Sequence, residues 1–328
     1  MLESFFIVAK QVIVLFILIS VGFSCNKFKI FNEETIRGMT NMMLFVVTPC
    51  IIVDSFQRPF NSNDLGLLGI ALFVAILYHA LNILFAHTCV YEKEDKRQRV
   101  MRFGLVFSNA GYMAFPLQEA ILGKDGLFFG AVMIAVFNVL LWTYGVWEMS
   151  GSLFHTKEKT SKARQLLLAA RAGFINPGTI GVVVGLIFFF NSITLPEVIG
   201  KPVRFLAALN TPLPMIIIGF YLANAKIGKV FTDLRAYNMM FIRLIVVPVL
   251  LFALLYLMGI RDHVLVVALV IAASAPAAAA TTMFSAKFGQ DTLHSVAVVS
   301  YSTLISMITM PLVVGLAYWL TKACSLQN

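Results

Sequence analysis

Residues 108–116 read SNAGYMAFP, with apolar sequence on both flanks. An ordinary membrane span would put Leu and Val where this stretch puts Asn, Gly, Tyr and Pro. Proline lacks the N–H that a helix needs and clashes with the carbonyl four residues back, so Pro116 leaves the Tyr112 carbonyl without its helical donor. It also biases Phe115 away from helical angles. In hydrocarbon, freed backbone groups survive only where protein or a water-filled cavity satisfies them. The stretch therefore marks either a simple kink or a site.

The rest of the chain shows that the setting is a bilayer. Of its 328 residues, 59% are hydrophobic and only 12% charged, with a mean hydropathy of +0.87. Soluble domains carry roughly a quarter charged residues, because their surface must be covered. The start, MLESFF, has an acid in place of a basic n-region, and the apolar run after it lacks a small-residue cleavage site; it reads as a first span, 4–24, and not as a signal peptide. Cys25, Cys50, Cys89 and Cys324 are scattered without CxxC or metal-like spacing, so neither a metal site nor a cofactor is expected. The net charge of +9 sits in short loops between apolar runs, which suits topology and not nucleic acid.

A span takes about 20 apolar residues. Ten runs qualify: 4–24, 36–56, 65–87, 101–121, 126–148, 175–193, 201–224, 235–258, 263–286 and 292–320. An even number puts both termini on one side. With the N-terminus outside, 17 basic residues fall in cytoplasmic loops and 6 in outer ones. The excess of Lys and Arg inside predicts that both termini are outside. The polar segment 149–174, with HTKEKTSKAR, would be a cytoplasmic linker between a first five-span repeat (1–148) and a second (175–328). Five spans per half turn the second half upside down, the precondition for an inverted repeat.

Two ordered echoes support such a repeat. VVTPCII, with Pro49, resembles LNTPLPMII, with Pro212; LGKDGL (122–127) resembles FGQDTL (288–293). Pro49 and Gly123 are 74 residues apart, and Pro212 and Gly289 are 77 apart. The second echo, an offset of 166, sets SNAGYMAFP opposite SAPAAAATT (274–282). Pro276 would free the Ala272 carbonyl as Pro116 frees that of Tyr112. The fold class expected is an all-α membrane protein of ten helices in two inverted repeats, with the fourth and ninth broken at prolines and crossing. Paired interrupted helices in corresponding halves point to a transporter's binding site.

The residue types at that site favour a particular guest. A half-helix N-terminus carries about half a positive charge and unpaired N–H groups. Two such ends suit an anion, above all a carboxylate. Gly111 and Ala277–Ala280 let backbones approach; Ser108, Asn109, Tyr112, Ser274, Thr281 and Thr282 can add neutral hydrogen bonds. Asn109 is the leading candidate, its alternative being a bond between packed spans. No Asp or Glu lies in 108–116 or 274–282, whereas a cation exchanger would need carboxylates there. Glu119, one turn past Pro116, reads as interfacial. Arg243 in the eighth span either attracts an anion on the inward path or snorkels to the interface. Asn138, Asn82 and His79 could support the crossover or simply bond within the core. Lys10 reads as snorkelling outward, and His263 and His294 as loop-edge residues. HExxH, GxSxG and P-loop motifs are absent, so no enzyme is indicated.

The chain resembles the auxin efflux carrier family, as a prokaryotic relative of the plant PIN carriers. The resemblance runs in order through KIFNEETIRGMTNMMLFVVTPCIIVDSF, SNAGYMAFP, INPGTIG, RLIVVPVLL and ASAPAAAATTMFSAKFGQD. It implies a ten-span, five-plus-five fold, shared in outline with bile-acid symporters and sodium/proton antiporters. Spans 1, 2, 6 and 7 would form a dimerising scaffold, and spans 3–5 and 8–10 a mobile transport domain working as an elevator. It also implies organic-anion transport: auxin in plants, malate or malonate in bacterial relatives. Asn109, seven residues before Pro116, falls where PIN carriers have an asparagine at the substrate carboxylate. The long PIN cytoplasmic loop is reduced here, and the second crossover, almost all alanine, departs from the pattern.

The sequence thus predicts a plasma-membrane secondary carrier of small organic anions, homodimeric in the bilayer. A sodium- or proton-coupled symporter on the same fold is one alternative, and a membrane sensor without transport is another.

Overall fold

The computed structural model describes residues 2–59, 61–150, 177–224 and 233–325. Most of the linker expected at 149–174 lies outside these residues. Long apolar runs fold as helices because a helix satisfies every backbone group internally. In chain order they are α1 (Leu2–Lys27), α2 (Glu33–Phe56), α3 (Ser62–Cys89), α4 (Asp95–Val106) and α5 (Ala110–Ser150). Then come α6 (Pro177–Phe190), α7 (Glu197–Asn224), α8 (Leu234–Leu257), α9 (His263–Ser274), α10 (Ala280–Phe288) and α11 (Thr292–Ser325). Among the described residues, seven helices are long and apolar enough to cross a membrane, and α6 and α9 are shorter apolar helices.

Polar residues set the entries. Asn32, Asn61, Asp233 and Asp262 each accept a first-turn N–H with the side chain, starting α2, α3, α8 and α9, as N-caps do. The echo glycines Gly123 and Gly289 both have positive φ, 65° and 68°, a conformation that costs glycine nothing. Gly123 bends α5 sharply, and Gly289 ends α10.

Glycine also sets the closest packing. At Gly22 on α1 a β-carbon would meet the Ile216 carbonyl of α7, and at Gly219 on α7 it would meet that of Ile19. The two backbones touch through a gap only glycine leaves. Likewise Gly181 and Gly185 seat α6 against Pro49 and Phe56 of α2. On the other side, α9 runs between α5 and α11. Every residue of α9 from Leu265 to Ser274 is buried, as a helix apolar all round must be.

Pro116 does not break its helix, contrary to the expectation. Residues Ala110–Ala114 form a wide π turn, in which the Phe115 N–H reaches back five residues to the Ala110 carbonyl. Pro116 follows in the first turn of ordinary α-helix. Pro49 follows the π turn Met43–Val47 and Pro248 the π turn Ile242–Val246 in the same way. A π turn displaces the carbonyl that the proline ring would strike, so the chain keeps its course. The helical path is instead interrupted at 107–109 and again at 275–279. Pro276 lies inside the second interruption; no proline lies in the first.

Candidate functional site

The two interruptions meet. Ser108 and Ala277 form an isolated antiparallel bridge. The Asn109 N–H donates to the Pro276 carbonyl at 2.8 Å, and the Ala278 N–H to the Phe107 carbonyl at 2.9 Å. Each break thus supplies the backbone partners the other lacks, which answers how a membrane chain tolerates them. The Ala277 N–H finds the Ser302 hydroxyl of α11 at 3.2 Å. The pairing sets Ser108 against Ala277, three positions past Ser274, its counterpart at the offset of 166. That offset fits the two turn glycines and carries the first break, 107–109, to 273–275, while the second lies at 275–279.

Behind the pairing stands Arg243, fully buried. Its guanidinium donates to the Tyr78 hydroxyl at 2.6 Å, the Leu105 carbonyl at 3.4 Å and the Ala275 carbonyl at 3.2 Å. It is turned into the core and does not snorkel, which corrects that one of its anticipated roles. It sits in the π turn of α8, inside the core. The core alternative holds for two α3 residues: Asn82 donates to the Tyr78 carbonyl, and His79 bonds the Ala75 carbonyl.

In front lies a cavity of about 860 Å³. Its wall takes Tyr112 from just after the first break, Ala279 from the end of the second and Thr282 from just beyond it. Thr40 of α2, Tyr221 of α7 and Thr303 of α11 face them, and Glu33, Glu34 and Arg37 stand at the exposed end. Of the predicted residues, only Tyr112 and Thr282 reach this wall. Ser108, Asn109, Ser274 and Thr281 are buried at or beside the pairing. Ser274 donates to the Ile271 carbonyl. The Asn109 Nδ2 and the Thr281 Oγ1 have no partner. Gly111 and Asn138 are half-buried, and neither lines the cavity.

The hydroxyls of α11 were missed. Ser300 and Thr303 line the cavity, while Ser302 and Ser306 touch the broken segments through the Ala277 N–H and the Met113 sulfur. The signal was present in SYSTLISMIT (300–309), where hydroxyls recur three and four apart in an apolar span. A helix brings such positions onto one face.

Ion pairs cluster at the far end of α2. α2 carries Glu33 and Asp54 roughly 30 Å apart at 1.5 Å per residue. Lys124 pairs with Asp54 at 2.7 Å, Arg58 with Asp125 at 2.9 Å, and Thr211 donates to Glu119 at 3.4 Å. Glu119 is thus tied between α5 and α7. Near the Glu33 end, the turns are tied by Arg97–Asp291 at 3.0 Å and Arg235–Glu92 at 2.7 Å. Burial acts to raise the Asp291 carboxyl, but the His294 N–H and the Arg97 guanidinium outweigh it and hold it below the usual carboxylate range. Glu92 is likewise lowered: burial opposes this, and the Arg235 bond prevails.

A curated relative, an uncharacterized transporter from Methanocaldococcus jannaschii, is 22% identical over 221 residues, 65% of this chain and 68% of its own. The family described as "Membrane transport protein" matches residues 7–314. The chain belongs to that family, the auxin efflux carrier family of membrane transporters.

Proposed function

We propose that this protein is a secondary transporter of small organic anions, carboxylates such as malate, malonate or auxin-like acids, across the plasma membrane. The observation that carries the reading is the reach of both broken helices into one cavity. Tyr112 follows the first break, Ala279 ends the second and Thr282 follows it. These are N-terminal ends, where partial positive charge and free N–H groups collect. Neither interrupted stretch, 108–116 or 274–282, contains an acid, so that charge is left for a ligand. The cavity hydroxyls of Thr40, Thr282 and Thr303 suit the neutral remainder of a small polar acid.

We extend the proposal to the whole chain. Ten spans form two inverted five-helix repeats, with the helices broken at 107–109 and 275–279 crossing at their centre. Helices α1, α2, α6 and α7, packed through Gly22, Gly219, Gly181 and Gly185, form a scaffold that dimerises. The remainder moves against it as an elevator. With both termini outside, the cavity mouth at Glu33 and Arg37 faces the cytoplasm, and the Asp54–Lys124 end is the closed outer side.

The test is uptake by proteoliposomes of mono- and dicarboxylates, with and without sodium and proton gradients. Uptake of at least one carboxylate, reduced in Asn109→Ala, is expected. If no anion is carried, or if Asn109→Ala transports a confirmed substrate like wild type, the reading fails.

A further inference from the structure

We infer that Arg243 is a positioning residue: a fixed counter-charge to two helix C-termini, holding both broken helices so that their opposite ends face the cleft. The inference rests on the proposed function for its purpose but not for its geometry. α4 ends at Val106 and α9 at Ser274, and each end leaves carbonyls without helical donors. Each also carries about half a negative charge. Arg243 takes one carbonyl from each, Leu105 from the end of α4 and Ala275 just past α9. Tyr78 of α3 fixes the fork from the side, through a 2.6 Å bond and a ring 5.8 Å from the guanidinium carbon.

A buried cation is costly unless opposed. Among the described residues no carboxylate pairs with this one, although it is wholly excluded from solvent. The two carbonyl ends and the tyrosine are its opposing partners. Arginine suits this place: its planar fork reaches two acceptors at once and is always charged, whereas lysine is a point charge. The consequence is a division of labour. Negative helix ends are neutralised behind the pairing of Ser108 with Ala277, and positive ends remain unneutralised in front of it. An anion at the cleft then meets the positive ends without the offsetting field of the negative ones.

The experiment compares wild type with Arg243→Ala, Arg243→Met and Arg243→Lys. Thermal stability is read in millimolar guanidinium chloride against choline chloride at equal ionic strength, and transport of a carboxylate is read in the same salts. Wild type should be indifferent to the salt. Arg243→Ala should lose transport on the order of tenfold or more, melt lower, and recover both saturably with guanidinium but not choline. A filler of the vacated volume that restored mere packing would show no such preference for the cation. Arg243→Lys should exceed the similarly sized but neutral Arg243→Met in both readouts. Should Arg243→Ala not fold, that pair decides the matter. Recovery by choline as well as guanidinium, no recovery in a folded Arg243→Ala, or Met matching Lys would overturn the inference. The melting readout needs no substrate, so failure to find any transported anion would sink the proposed function while leaving this test intact.

Discussion

The two breaks look alike in the bridge they share and differ in how they are made. The second, at 275–279, has Pro276 inside it and alanine almost everywhere else. The first, at 107–109, has no proline and carries Ser108 and the amide of Asn109. One opens because the sequence removes a donor. The other opens because its partner offers better bonds, Pro276 carbonyl to Asn109 N–H and Phe107 carbonyl to Ala278 N–H. The lesson is that an alanine break supplies backbone and room, while the polar break supplies the side-chain chemistry.

That contrast can be broken most severely at Asn109. Asn109→Asp puts a carboxylate where the helix N-termini gather, so it competes with an anionic substrate. Binding should fall on the order of a hundredfold, measured by equilibrium titration of the purified carrier. Asn109→Ala removes only a neutral donor, worth about 1–3 kcal/mol, so a loss of roughly tenfold is expected. If Asp and Ala were equally impaired, the positive ends would not be where the ligand sits.

The prolines should separate next. Pro276→Ala restores an N–H inside the second break and lets α9 run on, so transport should drop roughly tenfold. Pro116→Ala should change uptake by less than about threefold, because the π turn already absorbs that ring. Equal sensitivity would mean that Pro116 shapes the site after all.

Smaller effects belong to the ends of the cleft. Lys124 is half exposed where it meets Asp54, and such a pair is worth at most about 1 kcal/mol. Lys124→Met should therefore shift the balance toward the state closed at the Glu33 end by no more than about fivefold. The rate at which an impermeant thiol reagent labels Thr282→Cys, in a background lacking the native cysteines, would report it; unchanged labelling would show that the pair is no latch. The smallest effect is that of acid. Asp291 and Glu92 sit below their unfolded values, so their contribution is complete above the unfolded pKa, roughly 4 for such carboxyls. It disappears as pH falls through the folded values. Melting temperature should thus keep the full contribution of these pairs, unchanged with pH, between 5 and 8 and decline below pH 4, less so in Asp291→Asn.

Much of this was legible in the sequence, because bilayer helices need long apolar runs and the breaks carry residues such runs avoid. The turn glycines Gly123 and Gly289 could be aligned for the same reason: few residues take positive φ. Three things could not be read. The first break lies upstream of its proline, since a long-range pairing chose the place and periodicity sees only local order. Arg243 was visible as an anomaly, but its partners Tyr78, Leu105 and Ala275 come from three other segments of the chain. Asn109 stands out in the sequence as an unusual amide, yet only Tyr112 and Thr282 of the proposed set reach the cavity wall. Which face of a broken helix looks into a cavity depends on neighbours such as Thr40 and Thr303, which no local pattern names.

The central claim is that positive helix ends in a neutral cradle hold a negative ligand. It is tested most directly by equilibrium binding of a transported carboxylate and of its uncharged amide analogue to the purified protein. The account predicts that the acid binds on the order of a hundredfold more tightly, since only it meets charge-assisted donors. Equal affinity for acid and amide would contradict it.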